Sequence, residues 1–380
     1  MLPVMKVSDP VRILQVVSTL RTGGIEKLVH DLVVNIDARR FSVEICCVRR
    51  KTGRFLAPVE ASGVPVHFLG DYRRNSSRFF SQYRDLLDAG NFHVVHSHLN
   101  HLAGLFLYIP YKLGTPLRIV HYHSDFRYHN HCTPKYALRK MFGFFSEKYS
   151  NKVLGISDAC LNSVYGSSWR SNPKIERIYN GIDLAGLSSI QSSLLKRQDF
   201  GIKDDSLVIG HVGQFRKEKN HQFLIEFAEK ICTHNQEVIF VFVGDGPLLE
   251  HMRNEAIARG LGEKIIFTGT RTDVPELLGI MDLFVFPSLW EGFGLAVVEA
   301  QAAGLPVIMS TNIPDEIPLI KPSVKLPLND MTTWVDSCRN LIEYVKNNNR
   351  QKKNIPPELK EFSLDTWVRN IERVYSEVRP

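Results

Sequence analysis

No run in this chain of 380 residues approaches the roughly 18 consecutive apolar residues that a membrane-spanning helix requires. A spanning helix is therefore not expected. The N-terminus, MLPVMKVSDPVRILQVV, lacks an apolar core followed by a small-residue cleavage site. Its first apolar run reads as a strand, not a leader, and a cytoplasmic protein is expected. The six cysteines (Cys46, Cys47, Cys132, Cys160, Cys232, Cys338) form no C-x-x-C pair and have no metal-ligand spacing with a histidine. That pattern argues against a disulfide framework and a zinc ribbon, and for buried thiols in a reducing compartment. The dinucleotide fingerprint G-x-G-x-x-G is also missing.

What is present suits two domains. Residues 1–184 hold 25 Lys and Arg against 14 Asp and Glu, a balance of +11; residues 185–380 hold 22 against 26, a balance of −4. A basic half faces an anionic lipid surface, a polyanion, a phosphorylated ligand or simply water; no nucleic-acid partner is expected. Short Val/Ile/Leu-rich runs alternate with amphipathic stretches. In the first half the runs fall at 11–18, 41–48, 65–70, 92–98, 117–123, 152–157 and 175–180, with helical stretches such as 24–36, 100–113 and 135–149. In the second half they fall at 207–213, 238–244, 264–269, 283–288 and 306–310, with helical stretches at 221–234, 247–259, 273–281, 294–303 and 331–347. Near-continuous apolar strands are covered on both faces, and strand–helix alternation means α/β with parallel sheets. The expected architecture is two doubly wound Rossmann-like domains, 1–184 and 185–362. The last helix, within 363–380, is expected to pack back on the first domain. The Asn-Gly turn near 179–189 marks the boundary, and 346–360 reads as an exposed connector.

Open parallel sheets bind ligands beyond the carboxyl ends of their strands, so the residues after each strand are the candidates. Gly23-Gly24 opens a helix after the first strand, either for a plain turn or to expose N–H groups to a phosphate. HSHLNH (96–101) and HYHSDF (121–126) put histidines at two successive strand ends. In H-x-H, alternate residues share a strand face, so the imidazoles suit a ligand hydroxyl or phosphate, a metal, or a satisfied structural role. In GQFRKEKNH (213–221), Arg216, Lys217 and Lys219 precede a helix start near Asn220. Cations there are unfavourable unless an anion binds. Pro247 is expected at the first position of the next helix. In SLWEGFGLAVVEAQAAGLPVI (288–308), Glu291 lies in a loop and Glu299 about one turn into a helix. Acids in so apolar a segment need partners. Helix N–H groups at Gly294 and Leu295 flanked by two carboxylates suit a diphosphate with a sugar at each end, which is a nucleotide-sugar.

These stretches, together with GGIEK, YNGID, VGDGPL and FTGTRTDVPELL, resemble in order the retaining glycosyltransferases of family four, which have the GT-B fold. The ending STNIPDEI is similar to the capsular and exopolysaccharide branch. The resemblance implies two Rossmann-like domains facing across a cleft, the C-terminal one holding a nucleoside-diphosphate sugar. It implies that Glu299 binds ribose hydroxyls and Glu291 the transferred sugar. Phe293, Gly294 and Leu295 present backbone to the diphosphate and sugar, and Thr270, Arg271 and Val274 line the base. Lys219 balances the diphosphate, Gly24 reaches the phosphates from the first domain, His123 lies near the reacting sugar, and His98 and Asn100 lie on the acceptor side. The family commonly has Arg where this chain has Gln214, leaving Arg216 to supply the missing charge beside the leaving group. The implied reaction moves a hexosyl unit, with retention, from a UDP-sugar or a GDP-sugar to a glycan or lipid-linked oligosaccharide, by front-face attack. No Asp-x-Asp motif stands at a plausible strand end, so neither a metal nor another cofactor is expected. KYALRKMFGFFSEKY (135–149) mixes basic and aromatic residues and reads either as an interfacial helix on an anionic membrane or as a core-facing stripe. Alternatives are a sugar-nucleotide epimerase, a glycan phosphorylase, or a non-catalytic sugar-nucleotide sensor.

Overall fold

A strand made almost wholly of β-branched and aliphatic residues has no polar face to give to water. Among the described residues thirteen strands, the central ones of this kind, form two sheets in the computed structural model, which describes residues 9–21, 23–49, 53–126, 134–188, 197–348 and 355–378, for 134–140 and 188 the backbone alone. The first sheet comprises β1 (Val11–Val17), β2 (Phe41–Cys47), β3 (Val66–Phe68), β4 (Val94–Ser97), β5 (Leu117–Tyr122), β6 (Lys152–Gly155) and β7 (Ile175–Arg177). All pairings are parallel, in the order β3-β2-β1-β4-β5-β6-β7. The second comprises β8 (Leu207–Val212), β9 (Val238–Val243), β10 (Ile265–Gly269), β11 (Leu283–Phe286), β12 (Val307–Ser310) and β13 (Val324–Leu326), again parallel, in the order β10-β9-β8-β11-β12-β13. Both are doubly wound orders, whose connections reverse direction between β1 and β4 and between β8 and β11. A ligand crevice is expected at those switch points.

The chain divides into two compact units. One takes the residues up to Gly181 and those from Leu364 onward; the other is Ile182–Ser363. The expected divisions were 184/185 and 362/363. In the first unit, Leu28, Val29 and Leu32 of the helix Gly24–Asn35 pack with β1, β2 and the last helix, Leu364–Tyr375. That last helix buries Trp367, Val368, Ile371, Val374 and Tyr375, positions that recur at helical spacing on one face. Each large side chain so buried contributes about 1.5–3 kcal/mol, which ties the end of the chain to the first sheet. In the second unit, Phe223, Leu224 and Phe227 of the helix His221–His234 and Trp334, Cys338 and Leu341 of Met331–Asn347 cover the sheet.

Two details differ from expectation. The helix after β9 is Leu249–Ala258, so Pro247 lies upstream of it and not at its first position. Strand β13 was not anticipated: it is a three-residue edge strand with Lys325 at its centre, too short for a hydrophobic run. Cys46, Cys47, Cys160, Cys232 and Cys338 are free and buried, while Cys132 and residues 349–354 of the 346–360 connector lie outside the described residues.

Candidate functional site

In the second unit the switch point is built by pressing loops together. Gly213 N–H donates to Val243 O at 2.9 Å, Phe215 N–H to Asp245 O at 3.0 Å and Leu248 N–H to Phe215 O at 3.1 Å. Gly244, with φ of +144°, sits where any Cβ would overlap the Gly213 carbonyl oxygen. The glycines thus allow the loops after β8 and β9 to touch, and this aims the loop after β8 at the one after β11. Glu218 O accepts from Leu289 N–H at 2.8 Å, and Pro287 O accepts from Asn220 Nδ2 at 3.2 Å.

Across that seam Lys219 Nζ lies 2.6 Å from Glu291 Oε1, the two side chains 18% and 11% exposed. The ammonium also stands 4.8 Å from the centre of the Phe286 ring. Glu291 thus has a partner within the protein as well as the ligand expected for it. Two charges so far removed from solvent must compensate each other. The same pairing partly resolves the conflict of cations ahead of the helix His221–His234 without an anion. Arg216 is exposed and has no carboxylate partner among the described residues, and Gln214 beside it is exposed too. His211 Nδ1–H donates to Val285 O at 2.9 Å, and its Nε2 has no partner among the described residues. His221 stacks on Phe215 with ring centres 3.8 Å apart. Burial pushes their pKa values down to about 3 and about 2, so both are neutral.

Beyond β11, Gly294 has φ of +106°, a left-handed conformation that a side chain resists. It begins the helix Leu295–Ala302, whose N-terminus no side chain caps. Phe293 is buried against Phe362, ring centres 5.4 Å apart, so it can offer only backbone. The apolar residues of this helix are mostly buried, whereas Glu299 is partly exposed. After β10, Thr270 is exposed and Arg271 is held by Asp273 through two bonds of 2.8 and 2.6 Å, ahead of Val274 at the start of the helix Val274–Ile280. Sequence reasoning overlooked Glu276 in that helix, whose Oε2 is buried with no hydrogen-bond partner among the described residues.

The first unit's switch point holds the histidines. Strands β4 and β5 run side by side with His96 opposite Ile119, so the two H-x-H pairs stack on one face. His98 Nδ1 lies 2.9 Å from His123 Nε2, and His98 Nε2 lies 2.8 Å from Gln15 Oε1. Gln15 Nε2 donates to the Tyr375 hydroxyl at 2.6 Å; that hydroxyl is 2.7 Å from His96 Nδ1, and His96 Nε2 is 3.2 Å from His121 Nδ1. Asn100, with φ of +52°, accepts from the His123 backbone N–H at 2.8 Å. Burial dominates the electrostatics: His96 and His123 are pushed down to about 3, and His98 and His121 well below their ordinary value, neighbouring imidazoles adding to the effect in all but His123. His98 is buried with both ring nitrogens engaged inside the protein, so its ring has no nitrogen left for an acceptor, and Asn100 spends its carbonyl on His123. His96, His98 and His121 bring one nitrogen each within 4.8 Å of one another. A metal there would have to displace bonds to Tyr375, Gln15 or a neighbouring imidazole. Gln15 and Tyr375 were missed. The signal for Gln15 was a lone amide inside the apolar run VRILQVV.

Gly24 has nothing within 4 Å of where a Cβ would stand, so packing within the unit does not require glycine there. At Gly23 a Cβ would lie 2.5 Å from Glu26 Oε2, and Glu26 Oε1 accepts from the Thr19 hydroxyl at 3.0 Å. A carboxylate therefore already sits at the N-terminus where a phosphate was expected. The basic-aromatic segment is the helix Pro134–Tyr149; its Lys135, Arg139 and Lys140 side chains lie outside the described residues. Met141 and Phe144 are 45% and 61% exposed, and Tyr108 and Tyr111 of the helix Ala103–Lys112 are exposed too. Both tyrosines touch Tyr149, with ring centres 5.2 and 5.4 Å away. No helix among the described residues is long and apolar enough to cross a membrane.

Two family models match the chain: Glycosyltransferase Family 4 over residues 22–185 and Glycosyl transferases group 1 over residues 193–355. An Escherichia coli protein described as UDP-Gal:alpha-D-GlcNAc-diphosphoundecaprenol alpha-1,3-galactosyltransferase is 30% identical over 266 residues, 66% of this chain and 67% of that one. The capsular polysaccharide biosynthesis glycosyltransferase CapH of Staphylococcus aureus is 24% identical over 96% of this chain and 98% of its own. Among solved structures, Anabaena Alr3699/HepE in complex with UDP-glucose superposes with a TM-score of 0.76 at 17% identity, covering 96% of this chain and 99% of that one. Each unit's doubly wound sheet and the two adjoining family matches agree, and the chain belongs to the family 4 glycosyltransferases of the GT-B fold.

Proposed function

We propose that this glycosyltransferase moves a hexosyl unit with retention from a nucleoside-diphosphate sugar, a UDP-sugar in preference to a GDP-sugar, to a glycan or lipid-linked acceptor in surface polysaccharide biosynthesis. The observation that carries the reading is the Lys219–Glu291 pair, 2.6 Å apart at the second unit's switch point, in the same unit as the uncapped helix that begins after Gly294. As the sugar–phosphate bond breaks, charge develops on the β-phosphate. Preorganised cations and helix N–H groups stabilise it, the largest contribution in many enzymes. Lys219 supplies a fixed cation and Arg216 an exposed one that takes over from the absent arginine at Gln214. Glu291 keeps one oxygen for a sugar hydroxyl while the other orients Lys219. Glu299 takes the ribose, and Thr270, Arg271 and Val274 flank the base, with Arg271 positioned by Asp273. In the first unit His123 receives a hydroxyl of a sugar substrate. UDP is favoured because the galactosyltransferase relative and the HepE complexes name it. No divalent ion is needed, since Lys219 and Arg216 do the work of charge neutralisation. The exposed aromatics Phe144, Tyr108 and Tyr111 suit contact with an anionic bilayer carrying a lipid-linked acceptor.

Thermal shifts with UDP-, GDP-, ADP- and dTDP-sugars, followed by transfer assays with and without EDTA, test the reading. A shift with a UDP-sugar, absent in Glu299→Ala, and EDTA-resistant transfer are expected. Binding without turnover on any glycan acceptor would turn the assignment toward a sugar-nucleotide sensor.

A further inference from the structure

We infer that Gln15 and Tyr375 are positioning residues: through His98 they hold His123 in the neutral tautomer protonated at Nε2, presenting Nδ1 as an acceptor for a sugar hydroxyl. The identity of that ligand rests on the transferase reading above; the tautomer does not.

The assignment follows by counting protons along the chain from Gln15, whose amide has distinct donor and acceptor ends. Its Oε1 can only accept, so His98 Nε2 carries a proton. A neutral imidazole has one N–H, so His98 Nδ1 accepts, and the proton between it and His123 belongs to His123 Nε2. His123 Nδ1 is then a bare lone pair. On the other side Gln15 Nε2 donates to the Tyr375 oxygen, whose own proton goes to His96 Nδ1, and His96 Nε2–H donates to His121 Nδ1. Each of these five hydrogen bonds has one donor and one acceptor and no charge is needed, as the depth of the site demands: Gln15, His121 and Tyr375 are fully buried and His96 and His98 nearly so. The two ends of the chain, the bare His123 Nδ1 and the protonated His121 Nε2, are buried atoms with no partner among the described residues. Turning the Gln15 amide over would reverse every tautomer and make His123 Nδ1 a donor. A ligand hydroxyl that donates to Nδ1 holds the direction seen here, while a group that can only accept opposes it. The chain thus converts an amide orientation on β1 and a phenol on the last helix into a preference for hydroxyl donors at His123.

The experiment is long-range 1H–15N correlation on histidine-labelled full-length protein, which reads each ring's tautomer without turnover. His123 protonated at Nε2 is expected; protonation at Nδ1, or a mixture in the unaltered protein, overturns the proposal. In Gln15→Met and Tyr375→Phe, His123 should become a tautomer mixture. Transfer kcat/KM should fall on the order of tenfold, the scale of one net hydrogen bond. KM for the sugar nucleotide and for the acceptor, measured separately, shows whose hydroxyl is bound. His98→Asn, whose carbonyl can stand in for Nδ1, should keep the Nε2 tautomer where His98→Leu loses it, and it serves if the larger changes do not fold. An unchanged His123 tautomer in Gln15→Met refutes the positioning role. A changed tautomer that moves neither kcat nor either KM refutes the contact with substrate. Absence of transfer in the unaltered protein would instead count against the transferase reading and leave the spectra to decide the tautomer.

Discussion

Lowering the pH from 7 to 5 is expected to remove most of the first unit's stability. His96, His98, His121 and His123 stay neutral in the fold, their pKa values pushed down by burial, to about 3 for His96 and His123. In the unfolded chain each titrates near 6.5. The folded value lies below the unfolded one, so the unfolded state alone binds the proton in this window. Stability is therefore full above pH 6.5 and falls as the pH falls. The slope is about 1.4 kcal/mol per pH unit for each group. Between pH 7 and 5 each histidine costs about 2 kcal/mol, and four together about 8 kcal/mol, against a typical domain stability of 5–15 kcal/mol. Carboxylates held low by their partners, such as Asp37 and Asp330, titrate below this window. Urea unfolding at pH 7, 6 and 5, followed by circular dichroism and tryptophan fluorescence, gives the loss. Calorimetry at pH 5.5 in buffers of different ionisation heat gives the protons taken up. His211 and His221 in the second unit account for about two protons by the same linkage, and His93, held low by burial and by Arg12, adds at most about one more. An uptake no larger than that would refute a neutral chain in the first unit.

Three further outcomes are expected. Lys219→Ala leaves the nearly buried Glu291 carboxylate uncompensated. It should cost about 3 kcal/mol of stability and about 100-fold or more in kcat; a double-mutant cycle with Glu291→Gln that shows no coupling would contradict the pair. Gly244→Ala puts a methyl group into the Gly213 carbonyl and forces a positive φ on alanine, so thermal unfolding should report a loss of about 3 kcal/mol. The double change Met141→Ser with Phe144→Ser should lower partition into phosphatidylglycerol vesicles at least about tenfold and leave transfer to a soluble acceptor intact; equal co-sedimentation of altered and unaltered protein would remove the bilayer contact.

The strands were legible because a buried parallel strand has to be apolar on both faces, and runs such as LVIGHVG and VIFVFVG have no other reading. Strand β13 was not, since three residues around Lys325 carry no pattern. The glycines at 244 and 294 were visible as letters, but the reasons for them, a neighbouring carbonyl and a positive φ, are properties of folded loops. The candidate site was legible as a set of residue types after strand ends and illegible as a set of bonds. Glu291 and Lys219 are 72 positions apart, and nothing local says that each neutralises the other. The clustering of the histidines followed from the alternation of strand residues. Their direction depends on Gln15 and Tyr375, which are 360 positions apart.

That last separation has a consequence for synthesis. The second unit is one continuous stretch, Ile182–Ser363, while the first is completed only by residues from Leu364 onward. A ribosome adding about 5–20 residues per second leaves the first sheet waiting roughly ten to forty seconds for its closing helix. During that wait Gln15 and His96 have no phenol to meet. A chain that stops early can therefore carry a finished second unit, yet its first unit stays open with His123 untethered from Tyr375. Synthesis of the helix Leu364–Tyr375 is therefore the step that closes the hydrogen-bonded chain from Tyr375 to His123.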